Sequence, residues 1–137
     1  MRVMIDHVYI SVTDVHASAA FYTAALAPLG WRSIGTYDSS SGPAEDPDLY
    51  GLGDPDYQAS HHGNSIWLRR RRTAENEFYL GLRCDSNAQV DAAYRAAREA
   101  GGVDEGAPAY REYFGPGYYA ANVADPDGNR LEFVHKA

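Results

Sequence analysis

The sequence has a single cysteine, few basic residues and no long apolar run among its 137 residues. The lone Cys84 excludes an intrachain disulfide framework and fits a reducing compartment, so we expect a cytoplasmic protein. Twelve Lys and Arg stand against nineteen Asp and Glu, and the net charge of −7 argues against nucleic acid or an anionic membrane as the main partner. No stretch reaches the ~20 apolar residues of a membrane span, and we see no signal-peptide apolar segment at the N-terminus.

Aromatic residues, in contrast, are abundant, with eleven tyrosines, four phenylalanines and two tryptophans. Buried tyrosine brings a large apolar area and a hydroxyl that needs a partner, so this composition suits a ligand-lined cavity as well as an aromatic core. The length and the 45% hydrophobic content predict one domain that comprises residues 1–137. We therefore expect a small-molecule ligand.

One strand-like segment near each end carries a metal-ligand type of side chain. In residues 7–12, alternation places His7, Tyr9 and Ser11 on one face and the apolar residues on the other. In residues 129–134, the same alternation turns Glu132 away from its apolar neighbours. If the two strands lie side by side, the imidazole and the carboxylate would supply part of a divalent-metal site.

The chain reads as two similar halves. Capping and apolar patterns predict helices near residues 14–27 and 86–100. A shift of 72 residues overlays these helices, the strands before them and the glycines after them, with Tyr22 falling on Tyr94. The overlay indicates a duplicated strand–helix–strands module, with module one at about 1–72 and module two at about 73–137.

The remaining elements follow from alternation and turn residues. We predict further strands at residues 31–37, 49–53, 65–69, 103–106 and 117–123. Residues 38–47 and 53–63 are predicted to be loops, and the second of these carries His61 and His62.

Three segments together resemble a known superfamily. They are Ile5-Asp6-His7-Val8, Ala20-Phe21-Tyr22 and the closing Asp125-Pro126-Asp127-Gly128-Asn129-Arg130-Leu131-Glu132. With the duplicated module, they resemble the glyoxalase/bleomycin-resistance/extradiol-dioxygenase superfamily, also called the vicinal oxygen chelate fold. The resemblance implies an α+β fold of two βαβββ modules whose curled sheets form an open cup. Metalloenzymes of this superfamily chelate a substrate on a divalent cation, whereas metal-free members bind drugs.

The resemblance places metal positions on His7, Glu132 and residue 79, and the internal overlay finds residue 79 independently. Tyr79 stands there, where many members have histidine, and a phenol with a pKa near ~10 must lose a proton before it binds a metal. Glu77 shares a face with Tyr79 and is a substitute ligand. We therefore expect a metal set of His7, Glu132 and Glu77, with weak or partial occupancy by Mg, Mn, Fe, Ni or Zn.

The candidate substrate-binding residues line the expected cup. A buried Glu132 needs a partner, for which we expect His7 or an arginine. The alternative to a ligand-lined cup is that about half of the aromatic candidates fill the core. The candidates are Tyr9, Ser11, Trp67, Tyr79, Tyr113, Tyr118 and Asn122.

Two functions are consistent with these features. The first is a divalent-metal-dependent lyase, isomerase or dioxygenase for a small oxygenated substrate, with Glu132 and Tyr79 as catalytic residues. The second is a metal-free, bleomycin-resistance-like binding protein with a tyrosine-rich cup. The fold also leads us to expect a homodimer.

Overall fold

The computed structural model describes residues 5–37, 49–60, 63–71 and 78–137. Strands and helices alternate in this part of the chain in two similar series. The first series is β1 (His7–Val12), α1 (Val15–Leu26), β2 (Arg32–Tyr37), β3 (Leu49–Gly53), α2 (Pro55–Ser60) and β4 (Ser65–Arg70). The second is β5 (Tyr79–Arg83), α3 (Asn87–Glu99), β6 (Val103–Tyr110), β7 (Tyr118–Ala124) and β8 (Arg130–Lys136).

Each series forms its own four-stranded sheet. The strand orders are β1-β4-β3-β2 and β5-β8-β7-β6. In each sheet the first strand pairs in parallel with the fourth, and the other pairs are antiparallel. The predicted fold is confirmed: two βαβββ modules form an open α+β arrangement.

The condition that the strands carrying His7 and Glu132 lie side by side is not met. Among the described residues, β1 pairs only with β4, and β8 lies between β5 and β7 in the other sheet. Each crossover helix returns the chain to the sheet of its own module, so the first strand is paired within that module. Alternation along a strand predicts the face of a residue but carries no information about the neighbouring strand.

The two long helices lie where the capping signals predict them. The Asp14 carboxylate accepts a hydrogen bond from the Ala17 N–H at 2.9 Å, and the Ser86 hydroxyl accepts one from the Gln89 N–H at 3.1 Å. Gly30, with a φ of 81°, follows the short 3₁₀ turn that ends the first helical segment. Side-chain caps of this kind satisfy amide groups that the helix itself leaves unpaired.

The prediction of a loop over residues 53–63 is wrong in part, because α2 forms within it. Asp54 precedes the helix, and its Oδ1 accepts hydrogen bonds from the N–H groups of Asp56 and Tyr57. Pro55 occupies the first helical position, where its missing N–H costs nothing. An Asp followed by a Pro is therefore a sequence pattern that indicates the start of this helix. The other predicted loop, 38–47, and the pair His61 and His62 lie outside the described residues.

The core lies between the helices and one face of each sheet. Its largest fully buried side chains come from both modules, and Cys84 is buried among them as a small core residue. They include Tyr22, Phe133, Ile10, Leu26, Leu52, Ile66, Leu68 and Leu131. We call the opposite sheet faces, turned away from α1 and α3, the cup faces. No described helix is long and apolar enough to cross a bilayer.

A turn in module two, residues 125–129, joins the modules. Asp125 Oδ2 accepts a hydrogen bond from the Tyr22 hydroxyl of α1 at 2.8 Å. The Asn129 amide donates to the Ser11 carbonyl at 3.1 Å, and Asp127 accepts from the Thr13 hydroxyl at 2.5 Å. We call these contacts the inter-module clasp. The most specific motif of the sequence therefore has a structural role.

Candidate ligand-binding site

A buried carboxylate lies at the centre of the module-two cup face. Glu132, on β8, is only 7% exposed, and each of its carboxylate oxygens accepts a hydrogen bond from a phenol. Oε1 accepts from the Tyr79 hydroxyl at 2.6 Å, and Oε2 accepts from the Tyr118 hydroxyl. The Asn122 amide donates to the Tyr79 hydroxyl at 3.0 Å. We call these four residues the tyrosine–glutamate cluster.

Strand register explains why these residues meet. Asn122 of β7 and Gly81 of β5 flank Glu132 directly across the sheet. Tyr79 lies two residues before Gly81, so it shares the cup face. Its ring extends along the strand toward the Glu132 carboxylate. A Cβ added to Gly81 would meet nothing within 4 Å, so there is open space beside Glu132.

Both phenols are held in their protonated form. Burial and the hydrogen bond to Glu132 raise the pKa of Tyr118 to about 12. The same two causes, in that order, raise the pKa of Tyr79. A phenol that donates to a carboxylate loses its proton less readily, because ionisation would place two negative charges side by side. Tyr79 and Tyr118 therefore act as hydrogen-bond donors at neutral pH.

This arrangement predicts how Tyr118 titrates. We expect Glu132→Gln to lower the pKa of Tyr118 below about 12 without restoring its ordinary value, because burial, the larger cause, remains. The raised pKa stabilises the fold below pH ~10, and this contribution is lost as the pH rises through about 12. Titration of the ¹³Cζ resonances of tyrosine measures the pKa, and the free energy of unfolding measured as a function of pH gives the contribution to stability.

A matched control uses Tyr119, another tyrosine whose pKa is raised. The hydrogen bond from Tyr119 to Asp91 at 2.6 Å is the main cause of a Tyr119 pKa of about 12. Asp91→Asn is expected to lower the pKa of Tyr119 and leave Tyr118 unchanged. A Tyr118 pKa that does not respond to Glu132→Gln would contradict the hydrogen bond assigned here.

The module-one cup face is aromatic at the equivalent position. Register pairs Tyr9 with Trp67 in module one, as it pairs Gly81 with Glu132 in module two. The Trp67 indole lies over Gly51, where an added Cβ would approach it within 2.6 Å, and its Nε1 donates to the Ser65 hydroxyl at 3.1 Å. One half of the cup thus offers a flat apolar surface and the other a polar cluster.

His7 lies at the start of β1, and its side chain is 44% exposed. Its Nδ1 lies 2.7 Å from the Asp6 carboxylate, and its ring meets the edge of Tyr9 with centroids 5.5 Å apart. The prediction that His7 and Glu132 face one shared cavity stays a prediction. The described contacts of the His7 ring are thus with Asp6 and Tyr9, next to it in the chain or on the same strand face.

The described part of the predicted metal set does not fit a divalent ion well. Across residues 5–37, 49–60, 63–71 and 78–137, no three His, Cys, Asp or Glu side chains are grouped to hold a metal. Both Glu132 oxygens already accept hydrogen bonds from phenol hydroxyls. The raised pKa of Tyr79 also opposes formation of the phenolate that a metal would require. Glu77, the third proposed ligand, lies outside the described residues.

The remaining predicted residues fall in different places. Ser11 is buried, and its carbonyl belongs to the inter-module clasp. Tyr9 is half exposed on the cup face of β1. Tyr113 is 78% exposed on a 3₁₀ turn before β7, so it lies at the rim and not in the wall of the cup. Tyr118 and Asn122 belong to the tyrosine–glutamate cluster, as described above.

The hydrogen-bond partners of Glu132 are not the expected ones, although an arginine, Arg111, lies near it. The described partners are the two phenols rather than His7 or an arginine. Arg111 lies one contact further away, and its Nη1 donates to Asn122 Oδ1 at 2.5 Å. No local sequence signal reveals this contact, because Arg111 comes beside the cluster only when its N–H closes the β6–β7 hairpin on the Tyr118 carbonyl at 2.7 Å.

A cavity of about 760 Å³ also lies between the modules. Residues from both faces of β4 and β5 line it, including Ser65 and Gly81 of the cup face, together with Val8, Trp31 and Asp54. Among the described residues that line it, none belongs to the tyrosine–glutamate cluster. We assign the candidate site to the cup face, because that is where the chemically active side chains converge.

Fold and site together define a paired-βαβββ protein with an open cup. The sequence matches the model of the Glyoxalase/Bleomycin resistance protein/Dioxygenase superfamily over residues 4–133. The chain belongs to this superfamily.

Solved structures agree on the fold. A glyoxalase/bleomycin resistance protein from Albidiferax ferrireducens T118 is 24% identical with a TM-score of 0.71, covering 98% of this chain and 100% of that one. The oxidase ChaP-H2 is 21% identical with a TM-score of 0.69, covering 100% and 96%. TioX from Micromonospora sp. ML1 is 14% identical with a TM-score of 0.69, covering 98% and 100%. No curated protein matches the sequence. At these identities the likeness shows the fold alone.

Proposed function

We propose that this protein binds a small, planar, oxygen-bearing molecule in its cup without the help of a tightly held metal. The observation that carries the proposal is the Glu132 carboxylate, buried in the wall of the cup with each oxygen bonded to a phenol. A buried polar cluster with open space beside it is a typical recognition element of a ligand site. A hydroxyl group of the ligand would donate to the phenol oxygens, whose own protons are directed at Glu132.

The two halves of the cup supply complementary contacts. Trp67 offers an indole surface beside Tyr9, and the opening over Gly81 leaves room next to Glu132. A planar ligand stacked on the indole would direct its polar atoms toward the cluster. The proposal thus develops the metal-free binding function derived from the sequence.

A glyoxalase-like metalloenzyme is the second candidate, and one observation favours it. His7 and Tyr79 are the first residues of the equivalent strands β1 and β5, and His7 retains a metal-binding side chain at that position. In such an enzyme, His7, Glu132 and Glu77 would hold a Lewis-acidic cation. The engaged oxygens of Glu132 make this the weaker proposal.

Ligand binding is tested with a panel of aromatic phenols, quinones, amides and carboxylates, measured by fluorescence of Trp67. The chain has two tryptophans, so Trp31→Phe isolates the indole in the cup. We expect at least one panel member to change the emission of Trp67 equally with excess EDTA and with added Mn²⁺. Binding that needs the metal would overturn the metal-free proposal in favour of the second candidate.

Matched variants locate the ligand. Glu132→Ala should weaken binding by at least ~10-fold, because it removes the acceptor that orders both phenols. Glu99→Ala, which removes an exposed carboxylate from the end of α3, should leave binding unchanged. Equal binding by the two variants would place the ligand outside the cup.

We also propose a homodimer. Within the described residues, β1 and β5 each pair on one side only, which leaves an open edge on both sheets. Open edges pair readily with another chain. Light scattering coupled to gel filtration measures the mass, and a mass equal to the 15.0 kDa chain would contradict this proposal.

A further inference from the structure

Arg111 is a half-buried cation beside the cluster that forms no ion pair with a described carboxylate. Its described side-chain hydrogen bond is to the neutral amide of Asn122. The ion pair formed among the described residues joins Asp6 and His7, so Arg111 takes part in none. A partly buried guanidinium is normally paired with an anion, because its desolvation is otherwise uncompensated.

The backbone holds this guanidinium in place. A Cβ on Gly106 would come within 2.9 Å of Arg111 Nη2, so the glycine makes room for the side chain along β6. Asn122 fixes the other terminal nitrogen, and the Arg111 N–H is bonded within the hairpin. An arginine whose Nη1 is hydrogen-bonded is partly oriented in advance, with Nη2 left to donate, which lowers the entropy lost when it binds a ligand.

Further cations lie on the same face, although the chain as a whole is acidic. Lys136 Nζ lies 5.5 Å from the centre of the Tyr118 ring. Arg130 pairs with Tyr79 in register and shares the face of Glu132, two residues away. The phenols that bond Glu132 are neutral and leave its negative charge in place, so the cations Arg111, Lys136 and Arg130 share this face of module two with the Glu132 carboxylate.

An aromatic rim leads to this cationic region. Phe114, which is 62% exposed, lies 4.6 Å from the Tyr113 ring and 5.3 Å from the Tyr118 ring, measured between centroids. The hydroxyl of Tyr118 in turn reaches Glu132. Exposed aromatic rings that continue into a polar site mark a surface for an apolar, planar group.

From this juxtaposition we propose that the ligand is a small aromatic carboxylate, with Arg111 binding its carboxylate and the rim formed by Tyr113, Phe114 and Tyr118 binding its ring. Arginine suits this role because its planar fork matches a carboxylate with two parallel hydrogen bonds. The inference rests on the proposed function, since it names the class of ligand that the same cup binds. Arg111 is then the residue that determines specificity for charge.

The test compares benzoate with benzamide, which share a ring and nearly the same shape but differ in charge. Binding is followed by ¹⁵N NMR of the Arg111 side chain and the Asn122 amide in the full chain. We expect benzoate to bind at least ~10-fold more tightly than benzamide. Arg111→Gln should reduce this ratio to about one while the affinity for benzamide stays within ~2-fold, and Arg111→Lys should restore part of the preference.

Arg95→Gln is the control, because it makes the same charge change on the exposed side of α3. It should leave the ratio intact, whereas a role in folding alone would change both affinities together. Equal binding of benzoate and benzamide to the wild type would overturn the carboxylate inference and leave the proposed function standing. Binding of neither compound at about 10 mM would also overturn it, and the proposed function would then be decided by the wider panel.

Discussion

Replacing Asp125 with alanine is expected to lower the free energy of unfolding by about 3 kcal/mol, because it removes the centre of the inter-module clasp. Asp125 Oδ1 accepts hydrogen bonds from two backbone N–H groups of its own turn, each at 2.8 Å. Its Oδ2 accepts from the Tyr22 hydroxyl at 2.8 Å and from the Asn129 amide at 2.9 Å. The alanine variant would leave these buried donors without an acceptor.

Chemical denaturation measures this loss, and for a chain of this size the melting temperature should fall by about 10 °C. Tyr22→Phe removes one of the four hydrogen bonds and is expected to cost about 1 kcal/mol. Asp85→Ala, at an exposed aspartate, should change stability by less than ~0.5 kcal/mol. A loss below ~1 kcal/mol for Asp125→Ala would show that the clasp does not hold the modules together.

Tyr79→His is expected to raise the affinity for Ni²⁺, Co²⁺ or Zn²⁺ by at least ~10-fold, or about 1.4 kcal/mol. The change frees Oε1 of Glu132 from its phenol partner and adds an imidazole at the position equivalent to His7. Two imidazoles and a carboxylate are a common set for a divalent ion with positions left open. Calorimetric titration measures the gain.

Two controls define what the gain means. His7→Ala in the same background should abolish it, because the set loses a ligand. Tyr113→His introduces a histidine at the exposed rim and should bind metal no better than the wild type. Equal metal binding by the wild type and Tyr79→His would contradict the prediction, and Glu77→Gln would then reveal whether Glu77 already supplies the third ligand.

Much of the secondary structure could be predicted because its signals are local. Asp14 and Ser86 mark helix starts through bonds that span three residues, and the predicted strand at residues 49–53 agrees with β3. The overlay by 72 residues identified the duplication, because β1 and α1 recur at the same spacing in β5 and α3. The helix α2 was missed even though Asp54 and Pro55 form a local signal for its start.

The candidate site was less predictable, because it depends on contacts between distant segments. Alternation correctly placed Glu132 away from the apolar face, but its partners come from β5 and β7, 53 and 14 residues away in the chain. Whether a buried carboxylate meets an imidazole, an arginine or a phenol is decided by register. The same uncertainty hid Arg111, which reaches Asn122 only after the β6–β7 hairpin has closed.

The sequence by itself determined the two modules, the superfamily and the face on which His7, Tyr9, Ser11 and Glu132 lie. The modules and the faces follow from helix caps, alternation and a repeat spacing of 72 residues, and the superfamily follows from the resemblance of three short segments. The tertiary structure decided that β1 pairs with β4 instead of β8 and that two tyrosines bond Glu132. It also decided that the turn at residues 125–129 joins the modules. Strand pairing and register depend on how the whole chain packs, so no local pattern contains them.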